Sequence, residues 1–195
     1  TNMKHCKYHY ILCCILASLF FSTSCSLDRN PLDNFAENEF WTSEENALIA
    51  LTGIYRGNII FNAEEYNPSD FWSYSGIMFL EFASDNSYDR RGNNSGFQMV
   101  NGNLTSNTNF LKDYWGNAYA KIASCNRFLA GIDQVPASSE VISRLKSEVR
   151  FIRAVQYFYL SQFFYDVPLV TTVLTKDEAN VVEITSKEEI TNFII

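Results

Sequence analysis

Histidine would anchor most hydrolytic and metal chemistry, and this 195-residue chain places both of its histidines, His5 and His9, inside an apolar N-terminal leader. Residues 25–195 contain none. That removes serine–histidine and cysteine–histidine nucleophile pairs, and the imidazole ligands of most zinc and haem sites. No G-x-x-x-x-G-K-[ST], G-x-G-x-x-G or H-E-x-x-H pattern occurs either. Carboxylates are plentiful, and a glycosidase needs only two across a scissile bond. No two of them are placed across a cleft by spacing alone, so no catalytic residue, metal ligand or cofactor is assigned. A different chemistry collects further along. Asp85, Asn86, Tyr88, Asp89, Arg90 and Arg91 lie together, with Phe97 close behind. Flat aromatics stack on the apolar faces of sugar rings, while Asp, Asn and Arg bind hydroxyls in paired hydrogen bonds. Two readings of this cluster stand: it faces a ligand, or Asp85 and Asn86 close a helix end and the rest is solvated.

The second chemically informative position is Cys25. Residues 3–25 read MKHCKYHYILCCILASLFFSTSC, with Lys4 and Lys7 ahead of an apolar run from Tyr8 to Phe21. That run is about fourteen residues, short of the roughly 20 that span a bilayer, so it reads as a secretory signal. Ser22, Thr23 and Ser24 directly before Cys25 look like a bacterial lipobox, in which the cysteine is diacylated and becomes the first residue. Cys6, Cys13 and Cys14 fall within the leader and only Cys125 lies in the body, so no disulfide framework or metal cluster is expected. Without residues 1–24 the chain keeps 13 basic against 22 acidic side chains, a net charge of −9. An acidic exterior argues against a nucleic-acid surface, which needs clustered Lys and Arg.

The elements that must carry these residues are helical. After a polar tether over 25–38, Thr42 and Glu45 form a capping-box pattern, with Thr42 or Ser43 as cap. Ala47, Leu48, Leu51, Ile54 and Tyr55 then make one apolar face, and Phe40-Trp41 pack back as a staple. A second helix is expected over 69–83, containing Trp72, followed by a long polar loop from Ser84 to Gly96 whose polarity continues through Asn101 to Asn109. A third helix over 108–132 carries the stripe Leu111, Trp115, Ala118, Ile122, Cys125 and Leu129; Trp72, Trp115 and Cys125 are read as core. The fourth starts at Ser138 or Ser139 and stops at Asp166-Val167-Pro168. Beyond Val155 it is apolar nearly all round, which places it centrally, and Arg150 and Arg153 are expected to form structural ion pairs. Ser186 and Glu189 make another capping box, and the apolar face begun there suggests that the chain is part of a longer protein.

In the fourth helix, E-x-R-F-x-R-A-x-x-Y-F-x-L followed by D-V-P-L covers Glu148, Arg150, Phe151, Arg153, Ala154, Tyr157, Leu160, Asp166, Val167, Pro168 and Leu169. This strongly resembles the SusD/RagB family of outer-membrane lipoproteins, with Tyr165 standing where the family usually has Gly. Trp41, Glu44, Glu45, Ala47, Leu51, Gly53 and Tyr55 resemble the start of the same family's mature domain. The resemblance implies an all-α fold of tetratricopeptide-like helix pairs, truncated before its C-terminal region, with residues 1–24 as signal, 25–38 as lipidated tether and 39–195 as the helical domain. It implies a cell-surface protein anchored through Cys25 that binds a glycan and passes it to a SusC-like TonB-dependent transporter. It also implies that the loop holding Asp85, Asn86, Tyr88, Asp89, Arg90, Arg91 and Phe97 faces the glycan. Two other classes remain open: a helical scaffold lipoprotein acting only through protein contacts, and a helical glycoside hydrolase or lyase.

Overall fold

Ser43, Ser138, Thr175 and Ser186 each start a helix by accepting a hydrogen bond from the backbone amide three residues on. A side-chain oxygen at this position satisfies an otherwise orphaned donor, a contribution of about 1 kcal/mol. The computed structural model describes residues 40–56, 80–82, 84–88, 90, 95–105 and 108–195. The expected signal over 1–24, the expected tether with Cys25, and most of the helix expected over 69–83, with Trp72, lie outside these residues. Only 80–82 of that helix is described, and it is helical.

The elements are α1 (Glu44–Arg56), α2 (Ser95–Val100), α3 (Asn109–Gly131), a 3-10 turn (Ile132–Gln134), α4 (Ser139–Phe164), β1 (Val167–Pro168), α5 (Lys176–Ala179), β2 (Ile184–Thr185) and α6 (Lys187–Ile194). The two long helices, α3 and α4, form an antiparallel hairpin. The C-terminal half of α3 meets the N-terminal half of α4 beneath α1, in a core built on Leu51, Cys125, Phe128, Leu145, Val149 and Ile152. The opposite ends of the hairpin enclose a second core of Tyr114, Ile122, Tyr157, Leu160, Val167 and Ile190, closed by β1 and α6. Each large apolar side chain buried this fully contributes about 1.5–3 kcal/mol relative to exposure. The result is the all-α hairpin stack expected from the pattern, with one two-residue antiparallel ladder, Val167 opposite Thr185 and Pro168 opposite Ile184.

Several expectations need correction. Ser43, one of the two expected caps, does cap α1, but the residue at its third helical position is Asn46 and not the Glu45 of the capping-box pattern, and the Asn46 side-chain amide donates to Phe40 O at 2.8 Å. The polar stretch after 84 is not continuous loop, because α2 interrupts it. Gly102, at φ 65°, ends that helix, its amide and that of Asn103 returning to Met99 O and Gln98 O. On α3 the buried stripe is rotated: Tyr114 and Phe128 are in the core, while Leu111, Trp115 and Leu129 are only half-buried. α4 touches every other long element, yet Phe151 and Phe158 on it are exposed, so it is not covered all round. Arg150 and Arg153 make no ion pair among the described residues.

Two glycine and aromatic positions fix the turns. Trp41 packs edge-on against Phe128, centroids 5.4 Å apart. A β-carbon at Gly131 would stand 2.1 Å from the Trp41 ring, so glycine here allows close approach of the indole. α4 ends at Tyr165, which has φ 70° and ψ −95° and is the only non-glycine residue with positive φ among those described. An L-residue held there costs roughly 1–3 kcal/mol.

Candidate functional site

The loop after residue 82 is closed by serine. Ser84 returns both its amide and its hydroxyl to Glu81 O, and the Asn86 amide donates to Ser84 Oγ at 3.2 Å. Asp85 and Asn86 therefore do not cap the helix with their side chains, which are exposed and make no hydrogen bond among the described residues. Tyr88 is 60% exposed, and its ring meets Phe97 of α2 edge-on at 6.3 Å. Arg90, two residues after Tyr88, is exposed. Of the seven residues singled out by sequence, five are thus described, and Tyr88 and Phe97 are brought into contact. Asp89 and Arg91 lie outside the described residues, as does Cys25. The short helix that presents Phe97 was missed by sequence reasoning. Its signal was the apolar trio Phe97, Met99 and Val100 ahead of Gly102.

A second concavity was not foreseen. A half-open cleft of about 470 Å³ runs between α3 and the segment that follows β1. Trp115, Tyr119, Ile122 and Arg127 form one wall, and Pro168, Val170, Val173 and Leu174 the other. Trp115 packs edge-on against Phe164 at 4.9 Å and tilts against Tyr119 at 5.0 Å, so a residue read as core also borders open space. The mostly apolar walls suit the face of a ring better than its hydroxyls.

The far wall is held by buried polar side chains. Tyr157 OH donates to Val170 O at 2.9 Å and accepts from Val170 N at 2.7 Å. Asn126 Nδ2 donates to Val170 O and Thr172 O, both at 3.0 Å, while Arg153 Nη1 donates to Asn126 Oδ1 at 2.6 Å and to Thr171 O at 3.1 Å. Tyr119 OH donates to Pro168 O at 2.8 Å. The Arg153 guanidinium also lies 5.3 Å from the centre of the Phe193 ring. Arg153 Nη1 is thus met by two neutral acceptors and the guanidinium by a π-face, in place of the expected carboxylate, while its buried Nε makes no hydrogen bond among the described residues. Burial pushes the Tyr157 hydroxyl up to about 12, against the opposing pull of the Val170 backbone and Arg153, and it raises Tyr119 as well. Burial likewise raises the Cys125 thiol to about 12, so this cysteine is a small, inert core residue. Among the described residues no three His, Cys, Asp or Glu side chains gather as a metal site requires.

The two blocks that carried the resemblance meet in space, since Tyr55 OH lies 3.4 Å from Glu148 Oε2. Fold and surface together define an all-α, tetratricopeptide-like scaffold that displays an aromatic and polar loop. The chain belongs to the SusD-like family: a family profile described as "starch-binding associating with outer membrane" matches residues 33–191. Among solved structures it is similar to a SusD-like carbohydrate-binding protein from Bacteroides fragilis, with 50% identity, a TM-score of 0.71, and coverage of 80% of this chain and 30% of that one. A laminarin-binding SusD-like protein shares the fold at 23% identity and a TM-score of 0.62, over 79% of this chain and 32% of that one. SusD-like protein P25 of Formosa agariphila is 26% identical over 91% of this chain and 34% of its own length. The chain therefore spans about a third of the length of the relatives it matches.

Proposed function

We propose that the protein is a glycan-binding lipoprotein of the outer-membrane surface that delivers an oligo- or polysaccharide to a SusC-like TonB-dependent transporter. The observation that carries this reading is the exposed loop in which Tyr88 stands edge-on to Phe97, with Asp85, Asn86 and Arg90 open to solvent beside it. Asp89 and Arg91 belong to the same proposed contact set. The aromatic pair offers a face to a sugar ring, and the charged and amide groups offer bidentate partners to its hydroxyls. The carbohydrate-binding relative with half of its aligned residues identical supports the same ligand class.

Binding is reversible, and no covalent step is assigned to residues 25–195, which hold no histidine. Cys25 carries the lipid anchor, holding the binder against the membrane while the polar tether of residues 26–38 gives it reach. Affinity electrophoresis of the full chain through gels containing starch or laminarin tests the binding. Retardation without release of reducing sugar is expected, and sustained product release would replace the reading with that of a glycosidase. Globomycin treatment and Cys25→Ala test the anchor; both are expected to block maturation and shift the protein out of the membrane fraction. Co-purification of a TonB-dependent transporter from cells tests the partner.

A further inference from the structure

The geometry points to Tyr165 as a second sugar-contact platform, rimmed by Gln162, Asp166 and Lys187, and this rests on the glycan-binding reading above. Tyr165 holds φ 70° and ψ −95°, a backbone state in which the β-carbon is crowded and glycine is the easy choice. Strained residues of this kind persist where their surroundings hold them, and they cluster at ligand-binding and active sites, where the strain has a task. That task is not in the core, because the residue is 66% exposed. Within the protein its ring meets the Lys187 ammonium, 5.4 Å from the ring centre.

The surroundings complete a site suited to a hydroxylated ring. Lys187 Nζ donates to Gln162 Oε1 at 3.3 Å, and the Lys187 amide donates to Asp166 Oδ1 at 2.8 Å. Asp166 Oδ2 makes no hydrogen bond among the described residues. The ammonium over this exposed ring is thus linked to an amide, and its own backbone to a carboxylate, giving both donors and acceptors with no excess of either charge. An anionic ligand would meet Asp166, and a purely apolar one would leave the polar rim unsatisfied. A neutral pyranose can lay its apolar face on the ring and direct its hydroxyls to the rim. The ring is also presented rigidly: α4 ends immediately before it, and the Val167–Thr185 ladder pair follows two residues later.

The test is affinity electrophoresis of the full chain in laminarin and starch gels, comparing wild type with Tyr165→Gly and Tyr165→Trp. Glycine removes the ring and relieves the backbone, so a raised Tm shows that the variant is folded. Loss of one aromatic contact is expected to weaken retention roughly three- to tenfold, with Trp restoring it. If the wild type is retarded and Tyr165→Gly is retarded equally, the platform is wrong while glycan binding stands. If the wild type passes both gels unretarded, both readings fall.

Discussion

The Arg153 guanidinium lies 2.6 Å from the Asn126 side-chain oxygen in a buried position, and no carboxylate pairs with it among the described residues. Asn126 relays that cation to the chain: its oxygen accepts from Arg153 while its amide holds Val170 O and Thr172 O. Asn126→Ala therefore removes three hydrogen bonds at once and leaves part of the buried Arg153 charge without a partner. A loss of about 2–4 kcal/mol is expected, since buried groups orphaned in this way cost more than the bond itself contributes. Urea unfolding of wild type and variant measures it. A change below about 1 kcal/mol would show that the 170–172 segment is held by other means.

Gly131 gives a sharper steric prediction. Its missing β-carbon is the space occupied by the Trp41 indole, which is itself wedged against Phe128. Gly131→Ala must displace a buried ring and is expected to cost about 1–3 kcal/mol, despite the better helix propensity of alanine. The paired variant Trp41→Leu with Gly131→Ala should lose less than the two single changes together, because the clash disappears with the indole. Strict additivity in thermal unfolding would contradict the contact.

This glycine also marks how far sequence could go. The periodicity of α3 and α4 and the serine caps were legible because each depends on neighbours three or four positions away. Spacing put the end of this helix near 132, but the reason for a glycine at 131 lies about ninety residues earlier, in Trp41. Arg153 was expected to form a structural ion pair, and its burial is what the structure adds. Three carbonyls from a loop 17 to 19 residues later, reached directly or through Asn126, could not be read from spacing. In the candidate loop the residue types were visible in order, but the edge-on meeting of Tyr88 and Phe97 depended on α2, a six-residue helix too short to show a period.

Alkaline pH should unfold the domain by way of its buried acids. Cys125 is raised from 9.0 to about 12 and Tyr157 from 10.0 to about 12, both chiefly by burial. Each is an acid that holds its proton more tightly when folded, so the unfolded chain binds fewer protons above its own pKa. Stability is then complete below about pH 9 and falls as pH rises towards the folded values, by about 1.4 kcal/mol per unit for each group engaged. Cys125 alone acts between pH 9 and 10, and Tyr157 and Tyr119 join it above 10. Cys125→Ala should flatten the Tm profile between pH 9 and 10 and leave the steeper fall above it. A Tm that is level from pH 8 to 11 in the wild type would remove the effect.

Tyr165→Gly should raise stability even though it deletes a contact. Release of the left-handed backbone returns roughly 1–3 kcal/mol, while the exposed Lys187 cation–π pair contributes only about 0.5–1 kcal/mol. The extra chain entropy of glycine takes back up to about 1 kcal/mol, so the net gain is small, about 1 kcal/mol. A lowered urea midpoint for the glycine variant would mean that the ring stabilises the fold more than the backbone strains it.

Binding at the loop separates from folding most cleanly at Tyr88. Its ring is largely in solvent and touches Phe97 only by an edge, so Tyr88→Ala should change stability by no more than about 0.5 kcal/mol. If the ring carries a sugar, the same change should weaken retention in a polysaccharide gel by roughly tenfold, and Tyr88→Phe should retain most of the affinity because stacking needs the ring and not its hydroxyl. Asp85→Ala removes a charged acceptor and should cost a further 1.5–3 kcal/mol or so of binding, again without a shift in Tm. Tyr88→Phe behaving like Tyr88→Ala would assign the contact to the phenolic hydroxyl. Neither change affecting retention would leave the loop as solvated surface and move the ligand to the α3 cleft, where Trp115→Ala is the variant to measure.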